Sequence, residues 1–120
     1  MQTILPGRPA TEQLEKHAQA AAELLKKMSN PHRLMILCTL AAGELSVTAL
    51  NHKVSLSQSA LSQHLASLRE AKLVQTRKDG QTVYYQLQGD SAIRVIAVLQ
   101  QIYCPEMSGV GINIGTGTTS

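Results

Sequence analysis

The chain contains no tryptophan and no phenylalanine, and only three of its 120 residues are tyrosine. A hydrophobic core must therefore be built from leucine, isoleucine, valine, alanine and methionine side chains. A chain of this length forms one modest domain and is too short for two. Because a small core without large aromatic side chains buries little surface, we expect the subunit to complete its core against a second copy.

Signatures of several other protein classes are also lacking. No apolar run approaches the roughly 20 residues that a membrane span requires, and the N-terminus shows no basic segment followed by an apolar one. We therefore expect a cytoplasmic protein whose two cysteines are normally reduced. A Gly-flanked nucleophile, a CxxC pair, a P-loop and a carboxylate pair are all missing, so we do not expect an enzyme.

Both ends of the chain differ in composition from its middle. They are dominated by proline, glycine and threonine and show no amphipathic period. We expect a flexible arm over residues 1–10, a folded domain over residues 11–104 and a flexible tail over residues 105–120.

The net charge of +3 is unevenly distributed. Between Lys26 and Tyr85 eight basic residues face three acidic ones, whereas each flanking segment carries a net charge of −1. An excess of positive charge in the middle of the chain favours binding to the phosphates of a nucleic acid.

The most informative segment is LSQSALSQHLASLREAKLV, residues 56–74. Leu61, Leu65 and Leu68 follow the i, i+4, i+7 spacing of one buried helical stripe. The opposite face of this helix carries short, uncharged hydrogen-bonding side chains where an ordinary exposed helix carries glutamate and lysine, and Arg69 and Lys72 stand only at its far end. The uncharged residues are Ser59, Gln63 and Ser67, flanked by Gln58, Ser62 and His64. Such side chains suit base edges in a DNA major groove, and a solvated helix rich in serine and glutamine is the alternative. We call this segment the reading helix.

The residues before the reading helix predict three further helices. The first runs from a Thr11 cap to about residue 28, with the apolar stripe Leu14, Ala18, Ala21, Leu25 and Met28. The second covers residues 31–42 behind an Asn30 cap, with a buried stripe of Leu34, Leu37, Cys38 and Ala41. A short third helix follows a Ser46 cap, and the reading helix starts at a Ser57 cap or at a capping box two residues earlier.

The residues after the reading helix predict a β-hairpin and a last helix. Two β-rich runs flank Asp79-Gly80, a strong two-residue turn signal, and the basic side chains of Arg77 and Lys78 near the tip are expected to touch DNA. The last helix, residues 91–103, has almost no polar face, so we expect it to be buried on all sides with help from a partner chain. This order predicts a mainly α fold of the α+β type, a winged helix-turn-helix that dimerises through its terminal helices.

The segments NPHRLMILCTL, ELSVTAL, LSQSALSQHLASLREAKLV and RKDGQTVYYQL, in this order, resemble the ArsR–SmtB family of bacterial dimeric winged-helix repressors. The resemblance extends from about Ala20 to Cys104. It implies a cytoplasmic, nucleoid-associated homodimer that binds a pseudo-palindromic operator in double-stranded DNA. Carried over by position, the DNA contacts would be Gln58, Ser59, Ser62, Gln63 and His64 on the reading helix and Arg77, Lys78 and Gln81 on the wing.

The two usual metal sites of that family are not matched by this sequence. Where one type has cysteines in the third helix, this chain has Ser46 and Thr48, and hydroxyl groups bind soft metals poorly. Where the other type has Asp and His along the last helix, only Asp90 is present, and one carboxylate cannot close a tetrahedral zinc site. We expect no metal and no cofactor, and we interpret His17, His32 and His52 as ordinary polar residues.

Two cysteines remain, Cys38 in the second helix and Cys104 at the end of the last. Taken alone, Cys38 fits a small core residue and Cys104 an incidental thiol. In their ILC and YCP contexts they resemble the thiol-switch subgroup of the family, the HlyU and BigR type. That resemblance implies that oxidants or reactive sulfur species join the two cysteines by a disulfide or polysulfide bridge, which lowers operator affinity. A metal-responsive regulator and a constitutive DNA-binding dimer with inert thiols are the alternatives.

Overall fold

The structure, a computed structural model, describes residues 8–105. The predicted arm and tail lie outside these residues except at their inner ends. In chain order the elements are α1 (Arg8–Met28), α2 (Pro31–Leu40), β1 (Leu45–Ser46), α3 (Val47–Lys53), α4 (Gln58–Glu70), β2 (Val74–Asp79), β3 (Thr82–Leu87) and α5 (Ser91–Tyr103). The predicted winged helix-turn-helix is confirmed, with α4 as the reading helix and β2–β3 as the wing.

Two predicted boundaries need correction at the N-terminal end. Helix α1 begins at Arg8, so the predicted Thr11 cap is wrong and the predicted arm overlaps the helix by three residues. Pro9 lies in the first turn of α1, where proline is tolerated because the N–H that it lacks would have no helical partner. Helix α2 ends at Leu40, two residues earlier than predicted.

Hydroxyl and amide caps start the next three helices, as predicted. Asn30 Oδ1 accepts the backbone N–H groups of His32 and Arg33 at 2.8 and 3.1 Å. The Ser46 and Ser57 hydroxyls accept the N–H groups three residues further on, at 3.0 and 3.1 Å. These bonds satisfy donors that the first turn of a helix leaves unpaired.

The hydrophobic core lies beneath the reading helix. The predicted stripe of Leu61, Leu65 and Leu68 is confirmed, since these side chains are at most 2% exposed. Helix α2 turns a different face inward from the predicted one, because Ile36 and Leu40 are buried beside Leu37, whereas Leu34, Cys38 and Ala41 are only partly buried. Its residues 34–38 are all apolar, so periodicity could not select the buried face.

The wing belongs to a three-stranded antiparallel sheet of order β1-β3-β2. Asp79 pairs with Thr82, so the two-residue loop is Gly80-Gln81, one residue later than predicted. Gly80 has φ +66°, a left-handed conformation that glycine adopts without steric cost. Strand β1 was not predicted, because two residues are too few to show an alternating pattern.

The turn that ends the reading helix places a lysine in a left-handed conformation. The N–H groups of Lys72 and Leu73 bond to the carbonyls of Arg69 and Leu68, each at 2.9 Å, which is a Schellman motif. Lys72 has φ +64°, a conformation that costs a residue with a Cβ atom roughly 1–2 kcal/mol. Lys72→Gly should therefore raise the free energy of unfolding by about 0.5–1 kcal/mol, after the added freedom of the unfolded chain is counted.

Urea unfolding at fixed protein concentration measures this change. Ala71→Gly is the matched control, because Ala71 has an ordinary helical φ of −78° and glycine brings no relief there. The control should lose stability, by about 0.5–1 kcal/mol. A Lys72→Gly variant that loses as much as the control would contradict the prediction.

Candidate DNA-binding face and thiol pair

The exposed face of the reading helix carries four of its five predicted DNA contacts. Gln58, Ser59, Ser62 and Gln63 are exposed, opposite the leucine stripe that mounts the helix on the core. The turn before the helix is held by the Asn51 side-chain amide, which donates to the Leu56 carbonyl at 3.0 Å. This arrangement presents uncharged donors and acceptors on a helix about 20 Å long, which can lie in a major groove.

His64, the fifth predicted contact, is half-buried and faces α2. Arg33 Nε donates to His64 Nδ1 at 3.2 Å, and Arg33 Nη1 donates to the Lys27 carbonyl at 3.2 Å. The ring of His32 lies 5.9 Å from the ring of His64. Burial lowers the pKa of His64, and the charges of Arg33 and His32 lower it further. Sequence reasoning missed Arg33, because a pair 31 residues apart leaves no spacing signal.

The three predicted wing contacts have different surroundings. Lys78 and Gln81 are exposed at the tip. Arg77 forms a two-point ion pair with Glu44, at 2.7 and 2.9 Å, and its guanidinium lies 4.4 Å from the centre of the Tyr84 ring. The hydrogen bond from Arg77 lowers the pKa of Glu44. Sequence reasoning missed Glu44, which precedes β1 and is 33 residues from Arg77.

Cys38 on α2 and Cys104, which directly follows α5, are free, half-buried cysteines. Helices α2 and α5 pack together. The side chain of Gln100, on α5, reaches Cys38, with its Nε2 3.6 Å from Cys38 Sγ. Gln100 is linked to Cys104 only through the helix backbone, where its main-chain carbonyl accepts the Cys104 N–H at 2.7 Å. Gln100 Oε1 is buried and has no hydrogen-bond partner. Gln100 is one helical turn before Cys104, which is the signal that could have identified it.

Two of the residues at the family's metal positions, Ser46 and Asp90, serve other contacts. The Ser46 hydroxyl is used in the α3 cap, and Asp90 forms an exposed ion pair with Arg94 at 3.9 Å. Among the described side chains, no three His, Cys, Asp or Glu residues group as metal ligands would. None of the described helices is both long enough and apolar enough to cross a membrane.

Both terminal helices expose large apolar side chains. The exposed fractions lie between 53 and 77%, for Leu14, Leu25, Val98, Ile102 and Tyr103. In the single subunit α5 is buried along one side only, through Ala92 and Ile96, and its other side is left for the partner chain that the prediction requires. Exposed apolar surface of this kind marks an interaction site.

A helix-turn-helix with a polar exposed face, followed by a basic wing, defines a winged-helix DNA-binding protein. Residues 30–76 match the sequence profile described as "Bacterial regulatory protein, arsR family". The chain is 48% identical over 101 residues to the transcriptional activator HlyU of Vibrio cholerae, covering 83% of this chain and 94% of that protein. It is 49% identical over 98 residues to the nodulation protein NolR of Rhizobium meliloti, covering 80% of each.

The fold agrees with these sequence matches. The crystal structure of the transcriptional repressor BigR from Xylella fastidiosa superposes with a TM-score of 0.76 at 40% identity, covering 78% of this chain and 96% of that one. The chain belongs to the ArsR family of bacterial regulators, as the resemblance to the HlyU and BigR type predicted. It is a DNA-binding transcriptional regulator, and regulators of this family function as dimers.

Proposed function

We propose that the chain forms a homodimer that binds a specific operator and releases it when Cys38 and Cys104 are oxidised. The observation that carries this proposal is the contact of Cys38 Sγ on α2 with the side chain of Gln100 on α5, one helical turn before Cys104. Apolar exposed side chains on α1 and α5 support the homodimer. The exposed amide and hydroxyl groups of the reading helix support specific binding.

Reading and anchoring are assigned to different residues. Gln63→Ala should relax sequence preference, because an amide paired with adenine contributes about 1–3 kcal/mol of discrimination. Lys78→Ala should weaken binding to all sequences alike, because it removes one phosphate contact. The slope of log affinity against log salt concentration should become smaller in magnitude by about one. Lys16→Ala, an exposed change on α1, is the control and should alter neither.

These three variants are compared by titrating two DNAs at several salt concentrations. One is the site that the untreated protein selects from a random pool, and the other is random DNA. A Gln63→Ala variant that loses affinity equally for both DNAs would contradict the assignment of a reading role.

The contact with Gln100 bears on how Cys38 reacts. The reactive form of a cysteine is the thiolate, and the Gln100 amide N–H lies where it can donate to the Cys38 sulfur and hold it in place. With peroxide, the Cys38 thiolate breaks the O–O bond to give a sulfenic acid and hydroxide, and Cys104 then displaces water to form the disulfide. With inorganic polysulfide, the Cys38 thiolate breaks the terminal S–S bond, takes one sulfur atom to give a persulfide and leaves a polysulfide one atom shorter. The Cys104 thiolate then attacks the Cys38 sulfur and displaces hydrosulfide to form the disulfide.

Helix α2 connects this chemistry to the reading helix. Its C-terminal half carries Cys38 and packs against α5, and its N-terminal half carries Arg33, which bonds to His64 on α4. A bridge between the cysteines therefore moves an element that contacts both the proposed dimer helix and the reading helix. Two reading helices must be about 34 Å apart to enter successive major grooves, so we expect operator affinity to fall 5- to 150-fold, or about 1–3 kcal/mol.

The test uses a DNA site selected from a random pool by the untreated protein. Operator affinity and intact mass are measured before and after peroxide or polysulfide, and again after reduction. Wild-type protein should lose affinity, and reduction should restore it. Cys38→Ser and Cys104→Ser should keep binding after treatment. Gln100→Leu should slow the reaction of Cys38, whereas Gln101→Leu, an exposed neighbour, should not.

The alternatives give different results in the same experiment. Identical binding by all treated and untreated samples would identify a constitutive regulator with inert thiols. Release of DNA by zinc or arsenite would identify a metal-responsive one.

A further inference from the structure

We propose that Arg33 and His64 form a positioning pair that fixes the reading helix against α2, and that His64 supports operator binding through this bond and not by touching DNA. The proposal concerns DNA binding itself and does not depend on the chemistry of the cysteines. It replaces the role that family position assigned to His64.

The geometry joins three helices through one guanidinium group. Arg33 projects from α2, its Nε donates to His64 Nδ1 on α4, and its Nη1 donates to the Lys27 carbonyl in the last turn of α1. The guanidinium is a planar, rigid fork, so two simultaneous bonds fix its orientation. Ser62 and Gln63, immediately before His64, are exposed, whereas His64 is half-buried. The pair therefore holds the middle of the reading helix on the side that faces α2, away from the exposed face.

The bond requires an unprotonated nitrogen on His64. A neutral imidazole has one acceptor nitrogen, whereas a protonated imidazole has none. The charged and titratable groups that act on His64 are Arg33 and His32, both on α2, and α1 contributes the uncharged Lys27 carbonyl through Arg33. Burial and both of these groups lower the pKa of His64, which keeps it a neutral acceptor near neutral pH. Acid removes the acceptor and adds a positive charge beside Arg33.

Operator affinity is measured at about pH 7.5 and about pH 5.5 for wild-type protein and His64→Asn. Asparagine Oδ1 lies one bond from Cγ, as histidine Nδ1 does, so it accepts the Arg33 bond at both pH values. The two proteins should bind alike near pH 7.5. Wild-type protein should then lose about 3- to 10-fold relative to the variant on acidification, where tenfold equals about 1.4 kcal/mol.

Two further variants and two outcomes decide the proposal. His64→Leu and Arg33→Met should weaken binding at both pH values while circular dichroism shows a folded domain. If His64 contacted phosphate, its protonation would strengthen binding, and wild-type affinity would rise relative to His64→Asn on acidification. If His64 read a base, His64→Asn would change the preferred DNA sequence near pH 7.5. Either result would overturn the positioning role.

Discussion

Ile102→Glu should give a folded, monomeric subunit whose operator affinity is at least about 100-fold lower than that of the wild type. Ile102 lies in the last turn of α5 and is 60% exposed in the single subunit, so a charge there costs the isolated fold little. In the proposed dimer the same side chain would be buried, where an unpaired carboxylate is strongly unfavourable. Separate subunits lose the gain in DNA affinity, about 10²–10⁴-fold, that comes from joining two DNA-binding domains in one dimer.

Sedimentation measures the assembly state and DNA titration measures the operator affinity, both at the same subunit concentration. Ile102→Val is the matched control, because it keeps an apolar side chain at the same position and should remain dimeric. Ala42→Glu adds the same charge at an exposed position after α2 and should leave the assembly unchanged. An Ile102→Glu protein that remains dimeric would show that the dimer uses another surface.

Leu61→Ala should lower the free energy of unfolding by about 2–5 kcal/mol, because it leaves a cavity under the reading helix. Leu61 is 0% exposed and lies in the core with Leu50, Leu65 and Leu68. For a domain of this size each kcal/mol corresponds to about 4–8 °C in Tm, so the midpoint should fall by about 10 °C or more. Calorimetry and urea unfolding, at one protein concentration, measure this change.

Met35→Ala is the control for the loss of a large apolar side chain. Met35 is 57% exposed on α2, so its truncation should change stability by no more than about 0.5 kcal/mol. Equal losses in the two variants would mean that burial under the reading helix does not determine the stability of this domain.

The elements with strong local signals could be predicted from the sequence. The leucines of the reading helix recur at a helical period, and each of Asn30, Ser46 and Ser57 precedes a helix that it caps. These signals depend on neighbours within a few residues, where backbone geometry fixes which groups meet. A cap signal was misleading at Thr11, because α1 begins three residues earlier, and the two-residue strand β1 was missed because it is too short to show a pattern.

The candidate site was predicted less completely than the fold. The amides and hydroxyls of α4, His64, Arg77 and the two cysteines were proposed as site residues from residue type and family position. Their partners were not: Arg33 for His64, Glu44 for Arg77, and Gln100 for Cys38. The residues of each pair are more than 30 positions apart, so no periodicity within one element could indicate the pair.

The sequence by itself determined the class of protein, because the apolar spacing, the helix caps and the glycine turn act over a few residues and appear in a fixed order along the chain. Only the tertiary structure decided which polar side chains face solvent and which are bonded to the protein. The reason is physical: hydrogen bonds and ion pairs form at about 3 Å, and residues more than 30 positions apart reach that distance only after the helices and strands have packed.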